Sequence, residues 1–488
     1  MIRIYLDWNV MSQMKRGMHQ DLFEIITKNK SFISFYSTAH IGDILASYSD
    51  DNQHEAIIKE DLAYISKLTN NCCVLNRKGN DTYIDVISPF ELFESQLESK
   101  ELTKNFGLDT IEETFSDIGD GTIGKGYVSL LKSIPFDSKF KEALTDPKTS
   151  KTLDKIFPDL KDNPTMGGFF ESFFKMLDRM NNDIAYSDLR KAFQTGLNIN
   201  RDKLYDSKNP FEELQNYLKP LTDNGMDGLL ETINGYSNKK DPTWFETLTN
   251  SYINLDIAGY QEDKVSIKNG KKQTFKNTTE DAFHAAFATV CDIYVVNDNR
   301  GYKKTLELYK HHNINTKIFK PNEFIDYYIN CLNVESGAQY LNLIAAHIKE
   351  IEPIVTPNEN GNGFFRVYYS NFYFFNYFNK IYVVDFENQD EPTILLSKEK
   401  PTNGKYTWST EIEGLIEKLI SCFGQDENEL GSLAHEEFEN LDNWKGRSWK
   451  VGSITLNLRQ FNGHFQLYID IPNNDKDEST AGNNVYSA

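Results

Sequence analysis

Two short apolar runs, far apart in the chain, both end in aspartate: Ile2-Arg3-Ile4-Tyr5-Leu6 before Asp7, and Ile293-Tyr294-Val295-Val296 before Asn297 and Asp298. Runs this short and apolar read as buried strands of a parallel sheet covered on both faces. A strand that stops at a carboxylate delivers it to the end of the sheet, where open α/β sheets keep their ligands. The expected fold is therefore α/β, with Asp7 and Asp298 at one edge.

Two more carboxylates are placed to approach that edge from helices. Phe32-Ile33-Ser34-Phe35 reads as a second strand. Ser37 or Thr38 then caps a helix whose Ile41, Ile44 and Leu45 face the core, which puts Asp43 in its second turn. Downstream, Phe283, Ala286, Phe287 and Val290 repeat at helical spacing and place Asp281 in the first turn. Thr278 followed three residues later by Asp281 also fits a capping box, in which the carboxylate only satisfies orphan amides. Two strands ending in aspartate with acidic helix positions beside both favour a site. The segment Val10 to Lys28 is expected to be helical, and Cys72 to Leu75 a short strand.

At 488 residues the chain exceeds one ordinary core. Periodicity divides it into a first half-domain over 1–80, a mainly helical insertion over 81–269, a second half-domain over 270–332, a C-terminal α+β domain over 333–473 and a polar, disordered tail over 474–488. Within the C-terminal domain, Tyr340 to Ile351 and Glu411 to Cys422 read as helices. Phe364 to Tyr369 and Lys380 to Phe386 read as strands, and Asn462-Gly463 as the turn of a hairpin.

The net charge of −20 argues against a surface coated to hold nucleic acid by charge alone, though not against a local basic groove. The cysteines Cys72, Cys73, Cys291, Cys331 and Cys422 lack C-x-x-C spacing and read as reduced thiols of a cytoplasmic protein. No apolar stretch approaches the roughly 18 residues of a membrane-spanning helix.

Leu6-Asp7-Trp8-Asn9-Val10 resembles the hydrophobic-Asp-x-Asn start of the PIN-like nuclease superfamily. Asp43 matches its second, helix-borne acidic position, and Asp281-Ala282-Phe283-His284-Ala285-Ala286-Phe287-Ala288 its third. Val295-Val296-Asn297-Asp298 is similar to the fourth, with Asn297 where the family often has Thr or Ser. Lys317-Ile318-Phe319-Lys320-Pro321-Asn322-Glu323-Phe324 resembles the closing strand and Pro-led helix. The likeness covers about 1–78 and 275–330, the span between being far longer than the family core needs.

The resemblance implies a PIN-like parallel sheet with flanking helices and a metal-dependent nuclease, an endoribonuclease before a deoxyribonuclease. Crowded carboxylates repel one another unless divalent cations neutralise them, and oxygen-only ligands favour Mg2+ or Mn2+. The expected ligands are Asp7, Asp281 and Asp298, with Asp43 direct or through water, and Asn9 and Asn297 orienting them. His284 and His40 are candidates to touch phosphate, although packed core histidines are the commoner case. Trp8 could stack a base, but packing is the ordinary role of such an aromatic. Lys271, Lys272 and Lys276, in a run that begins at Lys264, and Arg300, Lys303 and Lys304 would form a basic rim for a phosphodiester.

By analogy, the accessory domains would suit a toxin or antiphage effector with a regulatory protein partner. The alternative is a non-catalytic PIN-like scaffold that binds RNA or protein. A haloacid-dehalogenase-like phosphatase expects Asp-x-Asp at the first strand and finds Asn9 in the second place.

Overall fold

The computed structural model describes residues 1–28, 30–46, 52–77, 81–103, 160–165, 168, 172, 190–191, 194–195, 197–223, 243–261, 275–357, 364–385, 393–405, 409–434, 437 and 444–471. The chain is mixed α/β. Strand β1 (Ile2–Leu6) is buried at every position. It lies between β2 (Phe32–Ser37) and β5 (Ile293–Val295), parallel to both, in the order β4-β3-β2-β1-β5-β6. β3 (Cys72–Arg77) and β6 (Lys317–Phe319) continue the parallel pairing outward, and β4 (Asp81–Val86) closes one edge antiparallel to β3. The strand order reverses at β1. That is the switch point at which such sheets open a crevice beyond their strand ends.

The segment Val10 to Lys28 forms two helices rather than one, α1 (Trp8–Lys15) and α2 (Gln20–Lys28). Between them Gly17 and His19 take positive φ, a conformation that an uninterrupted helix excludes. Helix α3 (Thr38–Ala46) follows β2, capped by the Ser37 hydroxyl, which accepts from Ala39 N at 3.2 Å. Helix α4 (Asn52–Thr69) leads to β3, and α5 (Pro89–Thr103) follows β4.

Most of the span read as a helical insertion, including Phe169 to Met180 apart from Ser172, lies outside the described residues, as do the basic positions Lys271 and Lys272 and the tail over 474–488. Its described parts join the core. β4 completes the sheet, and helices α6 (Arg201–Tyr205), α7 (Pro210–Asp223) and α8 (Trp244–Ile257) share an apolar cluster with α9 (Phe275–Phe287) and α10 (Asn299–His311). Helix α11 (Pro321–Tyr327) begins with proline at its first turn, as the sequence predicts.

A second, antiparallel sheet is built from β7 (Ile354–Pro357), β8 (Phe364–Phe374), β9 (Phe378–Asp385), β10 (Thr393–Ser397), β11 (Arg447–Val451), β12 (Ile454–Phe461) and β13 (His464–Asp470). In the order β11-β12-β13-β10-β9-β8-β7, it packs with α12 (Gly337–Glu350) and α13 (Ser409–Phe423) around its own core. Asn462 and Gly463, both at positive φ, turn β12 into β13.

This unit docks on the starts of the first sheet's strands. Arg3 Nη2 meets Glu411 at 2.7 Å, and Lys398 Nζ bridges Glu411 at 2.6 Å and Asp292 at 2.9 Å, with all four side chains buried. No described helix is long and apolar enough to cross a membrane. All five cysteines are free thiols.

Candidate acidic site at the strand ends

Asp7 follows β1 directly, its amide bonded to Val295 O at 3.0 Å, so the ends of β1 and β5 are level. It stands at the N-cap position of α1 without making a side-chain cap bond. The carboxylate is buried yet not used to start the helix. Asp298, three residues beyond β5, does cap α10, its Oδ2 accepting from Gly301 N at 2.6 Å, and it is exposed. The capping against which the two aspartate-ended strands argued is therefore present at Asp298 and absent at Asp7.

Helix α9 begins at Phe275, so Thr278 and Asp281 lie inside it. Asp281 is in the second turn rather than the first, and the capping box is not formed. Thr278 Oγ1 instead donates to Asp256 at 3.4 Å. Asp281 shares its electrostatic surroundings with Asp7, Asp43 and Asp298. Burial first, then those three carboxylates, raises it to about 7 against the pull of Lys304. Burial likewise raises Asp7 to about 6; His284 and an Asn9 hydrogen bond oppose the shift, while Asp43 and Asp298 add to it. Asn9 thus hydrogen-bonds the carboxylate it was expected to orient.

His284 is the cation among these acids. Its Nε2 lies 3.0 Å from Asp43 Oδ2 and 3.8 Å from Asp7 Oδ1. Burial works against its proton, but the Asp43 hydrogen bond and the Asp7 charge prevail and lift it to about 9. Its other nitrogen, Nδ1, lies 2.9 Å from Tyr5 Oη, which in turn is 2.6 Å from Ser37 Oγ. With both imidazolium nitrogens donating, Tyr5 accepts from His284 and donates to Ser37.

His40 is buried in the same network. Its Nδ1 accepts from Ser37 N at 3.1 Å, which leaves Nε2 to donate to Leu6 O at 2.8 Å. Burial, followed by the His284 charge, keeps its pKa well below the usual value. His40 is a neutral structural histidine that braces the β1 carbonyl just before Asp7.

Asn297 departs from expectation. Its amide donates to Gln13 Oε1 at 2.8 Å rather than to a carboxylate. Trp8 is half-buried and packs on the sheet's main core. Lys304 is not a rim residue. It is fully buried, with Nζ 2.5 Å from Asp256 and 4.7 Å from the centre of the Tyr252 ring. Its helix turns it inward, because residues three and four apart share a face and Gly301, Thr305 and Leu308 are buried with it. Lys303 is exposed over Tyr205, Arg300 is half-buried, and Lys276 lies in α9 with its side chain outside the described residues.

Three participants were missed. Glu280 rests its carboxylate against Gly42, where any Cβ would collide with it, so a fifth acid stands beside Asp43. Its adjacency to Asp281 was the available signal. Lys320 reaches Asn297 O at 2.7 Å and Asn299 Oδ1 at 2.8 Å, adding a cation beside Asp298. Tyr252, in the span read as insertion, enters the surroundings of Asp281, Asp298 and Asp7, and nothing local in its sequence marks it.

Among the described residues no three His, Cys, Asp or Glu side chains are grouped as a ready-made metal centre. The cation standing between Asp7 and Asp43 is the His284 imidazolium. The donor chemistry still fits a hard divalent ion. The acids are oxygen donors, two of them are destabilised as anions by burial and mutual repulsion, and the buried Tyr252 hydroxyl in their electrostatic surroundings has no hydrogen-bond partner among the described residues. Comparison with protein-family models, curated proteins and solved structures gave no match.

Proposed function

We propose that this chain is a divalent-metal-dependent phosphodiester hydrolase of the PIN-like type, acting on RNA. The observation that carries the reading is the acidic cluster at the switch point, where Asp7 and Asp281 are raised to about 6 and 7 because burial and like charges exceed what the local cations neutralise. A purely structural cluster would be paired, as the one at the other end of these strands is.

Asp7, Asp281 and Asp298 would hold Mg2+ or Mn2+, with Asp43 and Glu280 beside them. The ion would supply charge to a phosphate oxygen and acidify water there. The protein's own contributions are separable from this. Asn9 orients Asp7, His40 fixes the β1 carbonyl before it, and His284 holds a proton at the Asp43 edge. Lys303 and Lys320, both on the Asp298 side, would give a backbone phosphate a cationic approach to the acidic strand ends. The choice of RNA over DNA, a cytoplasmic setting, a regulatory protein partner and a role as toxin or antiphage effector follow the family resemblance.

A second reading, a PIN-like scaffold that binds RNA or protein without cleaving, draws on the His284 imidazolium, which already neutralises part of the cluster. Labelled single-stranded RNA, duplex RNA and DNA incubated with Mg2+ or Mn2+ separate the two. The hydrolase cleaves RNA, and Asp7→Asn and Asp298→Asn each lower the rate at least about 100-fold, the scale of a lost transition-state interaction. Cleavage that survives both variants overturns the site. Tight RNA binding with no cutting under any metal favours the scaffold.

A further inference from the structure

The insertion supplies one group that its own packing does not explain. Tyr252 on α8 is fully buried, and among the described residues its hydroxyl has no hydrogen-bond partner. Leaving a hydroxyl unpaired in a core costs about 1–3 kcal/mol, so phenylalanine would be the better residue for stability alone. The ring is well used, lying over the Lys304 ammonium at 4.7 Å and packing with Leu248 and Leu255. Only the oxygen is unspent.

That oxygen lies in the neighbourhood of the acidic cluster. A methyl group placed on Gly301 would lie 3.4 Å from Asp298 Oδ2 and 3.7 Å from Tyr252 Oη. The carboxylate and the hydroxyl therefore both lie within 4 Å of one bare backbone position. Asp281, Asp256, Asp298 and Asp7 all act electrostatically on the phenol. An unpaired hydroxyl among carboxylates is suited to a ligand that donates hydrogen bonds and carries positive charge, and a hydrated divalent cation has both properties.

We propose that Tyr252 Oη accepts a hydrogen bond from a water in the hydration shell of the divalent cation taken up by Asp7, Asp281 and Asp298, so that the insertion completes the metal site. This rests on the metal-site reading above. Mg2+ and Mn2+ keep several waters when bound by carboxylates, and partners of that outer sphere commonly govern 10–100-fold in affinity.

The test is calorimetric titration of Mn2+ into the full chain as native, Tyr252→Phe and Asp7→Asn protein, with melting temperatures taken in chelator. Tyr252→Phe should bind Mn2+ about 10–100-fold more weakly than native, while its melting temperature without metal is unchanged or higher, because the substitution removes only an unsatisfied oxygen. Equal Mn2+ affinity in native and Tyr252→Phe, with binding weakened in Asp7→Asn, overturns the role of Tyr252 and leaves the metal site standing. A native chain that takes up no Mn2+ at millimolar concentration overturns both. A melting temperature that falls together with the affinity makes the hydroxyl structural and overturns the assignment.

Discussion

Strands β1 and β5 carry opposite electrostatics at their two ends. At their starts Arg3 and Asp292 meet Glu411 and Lys398 from the second domain, and burial is matched by pairing. Burial alone would raise Glu411, but Arg3 and Lys398 outweigh it and hold the carboxyl far below its ordinary range. At their far ends Asp7 and Asp281 are raised by the same burial, with like charges adding to it. Desolvation and opposite charges act at both places; the balance differs, because Arg3 and Lys398 outweigh burial at Glu411 whereas His284 and Lys304 do not outweigh burial and the neighbouring carboxylates at Asp7 and Asp281. A buried carboxylate that the fold has paired serves the fold, and one whose charge is incompletely offset marks a candidate functional site.

The sharpest way to break this contrast is Glu411→Ala. It strands two buried cations and should cost about 3–5 kcal/mol in denaturant unfolding. A loss under about 1 kcal/mol would put the seam on a par with a surface ion pair. Asp7→Asn should act in the opposite direction, stabilising the chain by roughly 1–3 kcal/mol at neutral pH, since it removes a charge that folding disfavours. Destabilisation there would mean that the carboxylate is already satisfied.

Titration separates the ends further. Asp7 and Asp281 have folded pKa values above their unfolded ones, so between about pH 4 and 7 the folded chain binds more protons and gains stability as the pH falls. Each contributes at most about 1.4 kcal/mol per pH unit, and the slope should flatten in Asp7→Asn. Glu411 runs the other way, its contribution present above its unfolded value and lost only under strong acid. His284, raised to about 9, adds stability that is complete below its unfolded value of 6.5 and is lost as the pH rises through about 9. The gap between native and His284→Gln should close over that interval. The smallest effect is expected at Lys303→Ala, within about 0.5 kcal/mol in stability. On the proposed RNA-cleaving function it should also lower the salt slope of RNA binding by about one.

What could be read from the sequence was what local pattern encodes. Apolar runs ending in Asp7 and Asp298, a capped helix carrying Asp43 and the Asn462-Gly463 hairpin all have signals within a few residues, and each stands in the structure where the pattern placed it. The start of α9 did not, because Phe275 to Asn277 extend the helix past the polar residues that look like its cap. The partnerships of Lys304 with Asp256 and of Arg3 with Glu411 were illegible for a different reason. They are made between elements distant in sequence, and neither residue of a pair announces the other. Lys304 in particular follows Arg300 and Lys303 and looks like their neighbour on a basic surface until the helix turns it inward.

The pairing of Leu6 with Val295 also fixes the order in which the molecule can come into being. At ~5–20 residues per second of synthesis, β1 leaves the ribosome about 15–60 s before β5 exists to meet it. During that interval β2 is the one neighbour β1 can take, and Asp7 stands apart from Asp281 and Asp298. The acidic end of the sheet is assembled late in the making of the chain, after the segments around it have been produced.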